Sequence, residues 1–374
     1  MRKWNEKRLV ETFLELVRID SETRSEQAIQ AFLKEQFTAL GLTVAEDQTM
    51  EETGFGANNL ICTLEGATDI TPFFFSSHMD TVTPGKGIKP IIKDDIIYSD
   101  ETTILGADDK AGLAIMLELI RTLQENHVKH GTIEFIITVG EESGLVGAKA
   151  FDVTPMVANL GFVLDTGGPV GSITIGSPTQ YRIKALIQGI SAHAGLEPEK
   201  GLSAVQIAAE AIRQMQLGRI DKETTANIGL ISGGTATNVV MERLEVVAEA
   251  RSLSKEACVA QVQHMKETFE RVAKEMGGKA IVITEKKYDG YRFDESTEVV
   301  QMAAKAISTI GRTPSYEMSG GGSDANIFNG KGKQTTNLAI GYEKIHTVKE
   351  YLPIKELLKG LEMAYALVVG MANK

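Results

Sequence analysis

Apolar positions in the first part of the chain alternate between helical spacing and short continuous runs. Glu6–Val17 and Ser25–Leu40 carry Leu, Phe, Ile and Val at helical intervals between charged residues, which predicts two amphipathic helices, the second stopped by Gly41. Short β-rich runs follow at Leu42–Ala45, Leu60–Leu64 and Phe73–Ser77, the last apolar at successive positions, as in a strand covered on both faces. Ile88–Tyr98 reads as a hairpin turning at Asp94-Asp95. Lys110–Leu123 predicts a helix with few polar residues, and Thr132–Val139 a second buried strand. This alternation predicts an α/β domain with a mainly parallel sheet and helices on both faces.

The pattern changes near Thr179. A strand over Tyr181–Gln188, a helix over Ala204–Met215, strands at Ala226–Ile231 and Leu244–Ala250, a helix over Lys255–Met276 and a strand at Ala280–Glu285 are predicted. That β-α-β-β-α-β order is ferredoxin-like and long enough to form a separate α+β domain. Helices at Thr297–Ser308 and Pro353–Met371 then resume the first pattern. The expected organisation is a first catalytic part over 1–178, an inserted domain over 179–290, and a second catalytic part over 291–374.

Composition narrows the function classes. The 374 residues suggest about two domains. With 43% hydrophobic and 24% charged residues, the chain suits a globular protein rather than a disordered one. A formal charge of −11 opposes binding to phosphate backbones, so no nucleic-acid partner is expected. The apolar stretch Met363–Ala372 falls short of the roughly 20 residues that span a bilayer, so no membrane partner is expected. The amino-terminal stretch lacks a signal-peptide core, and Cys62 and Cys258 cannot form a disulfide framework. These features together predict a cytoplasmic protein.

Five clusters can carry chemistry. His78 lies in SSHMDT, just past a buried strand, where His78 and Asp80 share a face of the extended chain. Asp80 could fix the tautomer that presents the other ring nitrogen to a metal, although an ordinary strand-end hydrogen bond would also account for the pair. Asp108 and Asp109 open a helix in ILGADDKAG, more carboxylate than an N-cap needs. Glu141 and Glu142 end a buried strand in ITVGEESG, where neighbouring side chains diverge and can take separate roles. Asp165 ends another strand in GFVLDTGG, and His346 sits in the loop GYEKIHTVKEY ahead of the last helix. Each has a bland explanation alone. Together they follow apolar strands, where ligands of open α/β sheets collect.

His78, Asp108, Glu142, Asp165 and His346 suffice for two cations if one carboxylate bridges them. Two divalent cations, three carboxylates and one hydroxide sum to zero charge, and paired metals roughly 3.5–4 Å apart generate hydroxide at neutral pH. Nitrogen and oxygen donors without thiolate suit zinc, with cobalt or manganese as alternatives. His127 and His130, at a helix end, and His264, in a charged helix, read as structural. No GxGxxG or P-loop points to a nucleotide.

The order SSHMDT, GADDKAG, GEESG, LDTGG and a late loop histidine resembles the two-metal exopeptidase and deacylase family that includes peptidase T, carboxypeptidase G and succinyl-diaminopimelate desuccinylase. The likeness spans nearly the whole chain and is closest to the peptidase T branch. It implies that Asp108 bridges both metals, that His78 and Asp165 complete one site, and that Glu142 and His346 complete the other. It further implies that Asp80 backs His78, that Glu141 is the general base, and that the Asp108–Asp109 peptide is cis. In the inserted domain it gives His193 of GISAHAG an oxyanion role in the partner subunit's active site, and gives Asn238 and Arg251 polar contacts with substrate. Gly321 and Gly322 of SGGGSDAN could offer backbone N–H groups to a substrate carboxylate, or form only a flexible turn.

The expected activity is amide hydrolysis in short peptides, foremost release of the N-terminal residue of tripeptides, by a homodimer joined through the inserted domain. A deacylase, desuccinylase or carbamoyl-amino-acid hydrolase would use the same metals. A catalytically silent metal-binding protein would be expected to have lost Glu141 or a ligand, and none is missing.

Overall fold

The computed structural model describes residues 4–373. The chain forms two compact units. One runs to Ile175 and resumes over Phe293–Met318 and from Ser323 onward; the other comprises Gly176–Arg292 with Ser319–Gly322.

The first unit is built on a sheet in the order Thr43–Glu46, Leu60–Leu64, Ile133–Thr138, Phe73–His78, Leu160–Thr166, Gln334–Ala339 and Ser172–Ser177. Its four central strands pair in parallel and its flanking pairs are antiparallel. The three successive phenylalanines of Phe73–His78 show why that strand is apolar throughout. Phe73 and Phe75 meet Phe162 at centroid distances of 6.0 and 6.1 Å, and Phe75 stacks on Phe135. Phe74 points to the opposite face, against Phe328 of the Asp324–Gly330 helix at 5.1 Å. Its ring needs a glycine alongside, since a Cβ on its partner Gly161 would lie 2.0 Å from that ring. The helix Ala107–Glu125 packs on Phe73–His78 and against helices Glu6–Val17 and Ile354–Ala372. Both faces of the sheet are therefore covered, and polar loops gather at the carboxyl ends of the parallel strands.

The hairpin pairs Ile91–Lys93 with Ile96–Tyr98 through Asp94 and Asp95, both at positive φ, and Tyr351–Pro353 adds a third strand. Among the described residues no helix is long and apolar enough to cross a membrane.

The second unit follows the order Thr179–Gln188, Ala204–Arg213, Thr224–Gly233, Arg243–Ser252, Lys255–Glu275, Lys279–Tyr288. Its antiparallel sheet runs Gly218–Arg219, Thr224–Gly233, Arg243–Ser252, Thr179–Gln188, Lys279–Tyr288. The two helices cover one face, burying Ile183, Ala185, Ile187, Val246, Met265 and Phe269. This is a ferredoxin-like arrangement with one extra edge strand.

Candidate metal centre

The parallel strands deliver the acidic clusters to one place in the first unit. His78 closes its strand, and its Nε2 lies 3.0 Å from Asp108 Oδ1 and 3.7 Å from Asp165 Oδ1. His346 Nε2 approaches the other oxygen of Asp108 at 3.2 Å and Glu142 Oε1 at 2.9 Å. One carboxylate thus faces two imidazoles, each through its own oxygen. Donor atoms of His78, Asp108 and Asp165, of Asp108, Glu142 and His346, and of His78, Glu141 and Glu142 form three groups, each within 4.8 Å.

Local backbone sets these directions. Gly106 enters the Asp108 segment at φ 72°, and the Asp108–Asp109 peptide is cis. The regular part of the helix begins beyond these two residues, and Asp109 caps it. Its Oδ1 accepts from the Gly112 N–H, and its Oδ2 from Ser77 Oγ. Asp108 is left free to face the histidines. His346 stands at φ 60°, half-exposed, on a loop closed by paired hydrogen bonds between Glu343 and Tyr351. Asp165 is held by Asn337, which bonds both its N–H and its C=O, and by the Tyr342 hydroxyl at 2.9 Å.

Asp80, fully buried, does more than back His78. Its carboxylate lies 3.4 Å from His78 Nδ1, which is also 3.0 Å from the Asp80 carbonyl. Its Oδ1 accepts from the Glu141 N–H at 2.9 Å, and its Oδ2 from the Glu142 N–H at 3.3 Å and Thr23 Oγ1 at 2.7 Å. One side chain orients an imidazole and the turn that carries both glutamates.

The electrostatics are those of negative charge held out of water. Burial raises the Glu141 and Asp165 carboxyls well above their ordinary range and also raises Glu142, with neighbouring carboxylates adding to each effect. Burial would also raise Asp108, but hydrogen bonds with His346 and His78 hold it below the usual carboxylate range. Burial disfavours charge on His78, yet Asp108 and Asp80 raise it well above the ordinary imidazole value, and bonds to Asp108 and Glu142 lift His346 to about 10. Converging carboxylates and imidazoles, with an unmet demand for positive charge and no thiolate, are a donor set that fits divalent cations.

The other sequence candidates lie in the second unit. His193 is exposed, bridged to Val239 through the backbone, and its Nδ1 accepts from the Gly195 N–H. Asn238, also exposed, accepts from the Ala194 N–H through its carbonyl. Arg251 forms a bidentate pair with Glu249 and donates to the Gly320 carbonyl. The Gly321 N–H is engaged by Ser319 Oγ, and a Cβ on Gly322 would lie 2.3 Å from the Tyr288 ring. The structure brings together two pairs here, His193 with the Asn238 loop and Arg251 with the glycine loop. His127 and His130 lie beyond the helix, which ends at Glu125, so neither occupies the last turn expected for them. His264 is part-buried in its helix, with Nε2 unpartnered.

Sequence reading missed several residues around the centre. Glu350 accepts three backbone N–H groups beside Asp108. Lys110, lowered to about 8 by burial, bonds Ser21 and the Met79 carbonyl. Asp324, raised by burial to about 6, accepts from Thr138. Only the charge of each was visible in the sequence.

The family model described as Peptidase family M20/M25/M40 matches residues 74–369. The chain is 56% identical to the solved aminopeptidase PepT from Bacillus cereus ATCC 10987, with a TM-score of 0.92 and coverage of 98% of this chain and 99% of that one. It is 47% identical to a solved tripeptidase from Staphylococcus aureus, with a TM-score of 0.96 and 99% of each chain covered. It is 55% identical to YqjE of Bacillus subtilis (strain 168), a protein described as uncharacterized, over 99% of this chain and 100% of that one. The chain belongs to the M20/M25/M40 peptidase family and is a metal-dependent peptidase.

Proposed function

We propose that the chain is an aminopeptidase that releases the N-terminal residue of tripeptides at a two-metal centre. The observation that carries this reading is the Asp108 carboxylate, one oxygen toward His78 and the other toward His346. The names of the solved relatives, an aminopeptidase and a tripeptidase, support the substrate class.

In this reading His78, Asp108 and Asp165 hold one divalent cation, and Asp108, Glu142 and His346 hold the other. Zinc is the expected metal, with cobalt or manganese as alternatives. When bound, such a pair would polarise the scissile carbonyl and make water more acidic. Glu141 then takes the proton of the attacking water and returns it to the leaving amine. Its support is a carboxyl raised by burial, on a turn fixed through Asp80. Asp80 keeps His78 in one orientation. His193, Asn238, Arg251 and the Gly321–Gly322 backbone contact the oxyanion and the polar ends of the substrate. A homodimer joined through the inserted unit supplies His193 in trans; the exposure of that histidine supports the role.

A panel of tripeptides, dipeptides and N-acyl amino acids, assayed with Zn²⁺ or Co²⁺ on a preparation sized by light scattering, tests the proposal. Release of the first residue from tripeptides by a dimer is expected. Activity confined to acyl amino acids overturns the substrate assignment, and full activity in a monomer overturns the trans role of His193.

A further inference from the structure

Asp108 and His346 lie 238 positions apart, on two irregular segments whose relative placement decides whether both imidazoles can face one carboxylate. Neither segment lies in regular structure. The first passes through Gly106 at positive φ, and the second holds Lys344 and His346 at positive φ inside the loop closed by Glu343 and Tyr351. Glu350, only 1% exposed, ties them together. Its Oε2 accepts the N–H groups of Leu105 and Gly106, both at 2.8 Å, and its Oε1 accepts that of Asp108 at 3.0 Å. Three donors converging on one side chain need two acceptor oxygens, which only a carboxylate supplies. Val348, two residues earlier on the same loop, accepts from Ser99 Oγ at 3.3 Å, and Tyr351 continues into the strand beside Ile96–Tyr98.

We infer that Glu350 is a positioning residue which clamps the His346 loop to the Asp108 segment and so presets the metal-binding geometry before any cation arrives. The inference rests on the metal-centre reading above. Outer groups that orient metal ligands typically govern affinity by about 10- to 100-fold. Glutamine at this position keeps the length but has one acceptor. With its oxygen placed toward Leu105 and Gly106, its amide opposes the Asp108 N–H, donor against donor.

The test compares metal-free wild-type protein, Glu350→Gln and Glu134→Gln by calorimetric titration with Co²⁺ and by thermal unfolding without metal. Glu134 is a matched control: it is buried and also accepts two backbone N–H groups, from Val157 and Ala158, but is not among the metal-donor groups. Glu350→Gln is expected to raise the Co²⁺ dissociation constant about 10- to 100-fold, whereas Glu134→Gln lowers the melting temperature and leaves Co²⁺ affinity unchanged. Unchanged Co²⁺ binding in Glu350→Gln overturns the clamp while leaving the metal-centre reading intact. Equal weakening by Glu134→Gln also overturns it, because the effect is then one of general stability. Failure of wild-type protein to bind Co²⁺ overturns both. Should Glu350→Gln not fold, amide exchange in metal-free wild-type protein decides. Protected amides at Leu105, Gly106 and Asp108 support a preset clamp, and exchange at open-loop rates refutes it.

Discussion

Replacing Asp80 with asparagine removes one negative charge and one acceptor from the point where His78, Glu141 and Glu142 meet. The amide nitrogen fits best on the Oδ2 side, where the Thr23 hydroxyl can rotate to accept from it; on the Oδ1 side it would confront the Glu141 N–H at 2.9 Å. Even the better orientation leaves the Glu142 N–H facing a donor. A hydrogen bond to a charged group contributes about 1.5–3 kcal/mol. At about 1.4 kcal/mol per decade, losing one predicts a fall of roughly 10- to 150-fold in kcat/KM. Thr23→Ala removes one hydroxyl donor but leaves the charge and both backbone N–H partners of the carboxylate in place, so it should cost less than Asp80→Asn. The assay is tripeptide hydrolysis at saturating Co²⁺, with metal content measured on the same samples. Asp80→Asn within twofold of wild type, or Thr23→Ala more damaging than Asp80→Asn, would refute the claim that this carboxylate organises the turn.

Two further perturbations separate chemistry, metal binding and stability. Glu141→Gln should retain its Co²⁺ stoichiometry while kcat drops by about 10²–10⁴, the range for a lost general base; near-normal turnover sinks that assignment. Glu142→Gln should instead weaken Co²⁺ binding, as seen by equilibrium dialysis, and an unchanged isotherm counts against it as a ligand. Away from the site, Arg8 donates from Nε and Nη2 at 2.8 Å to the buried Glu118, with Arg121 a more distant partner at 3.6 Å. Arg8→Ala removes both of these hydrogen bonds and leaves the carboxylate with Arg121 alone, and should cost about 1.5–3 kcal/mol in urea unfolding. A loss under about 0.5 kcal/mol, the size of an ordinary surface change, refutes a structural role for the pair.

Elements with one dominant periodicity were legible. Leu60–Leu64 matches its predicted span, and Phe73–His78 extends its prediction by one residue. The Asp94-Asp95 turn declared itself through residues that tolerate positive φ. Gln334–Ala339 did not, because QTTNLA carries no apolar run although it lies between two other strands of the sheet. Its polar groups are satisfied inside: Thr336 donates to the Thr174 carbonyl, and Asn337 bonds the Asp165 backbone. Burial of a polar strand is decided by partners elsewhere in the chain, which local pattern does not contain.

The same limit explains which parts of the centre could be read. Histidine is scarce and adjacent acids are conspicuous, so His78, Asp108, Glu141, Glu142, Asp165 and His346 stood out as types. Asp80 was legible as the partner of His78, but its hold on the Glu141–Glu142 turn, like the roles of Asp109 and Glu350, lies in accepting backbone N–H groups, and any residue but proline can supply those. Nothing in the donors' identities at Leu105, Gly112 or Glu142 announces the acceptor. A carboxylate that binds backbone fixes a loop whatever side chains the loop bears. Leu105 is itself fully buried, so a volume-conserving change such as Leu105→Met, which keeps the N–H, should be tolerated better than the loss of a single oxygen from Glu350.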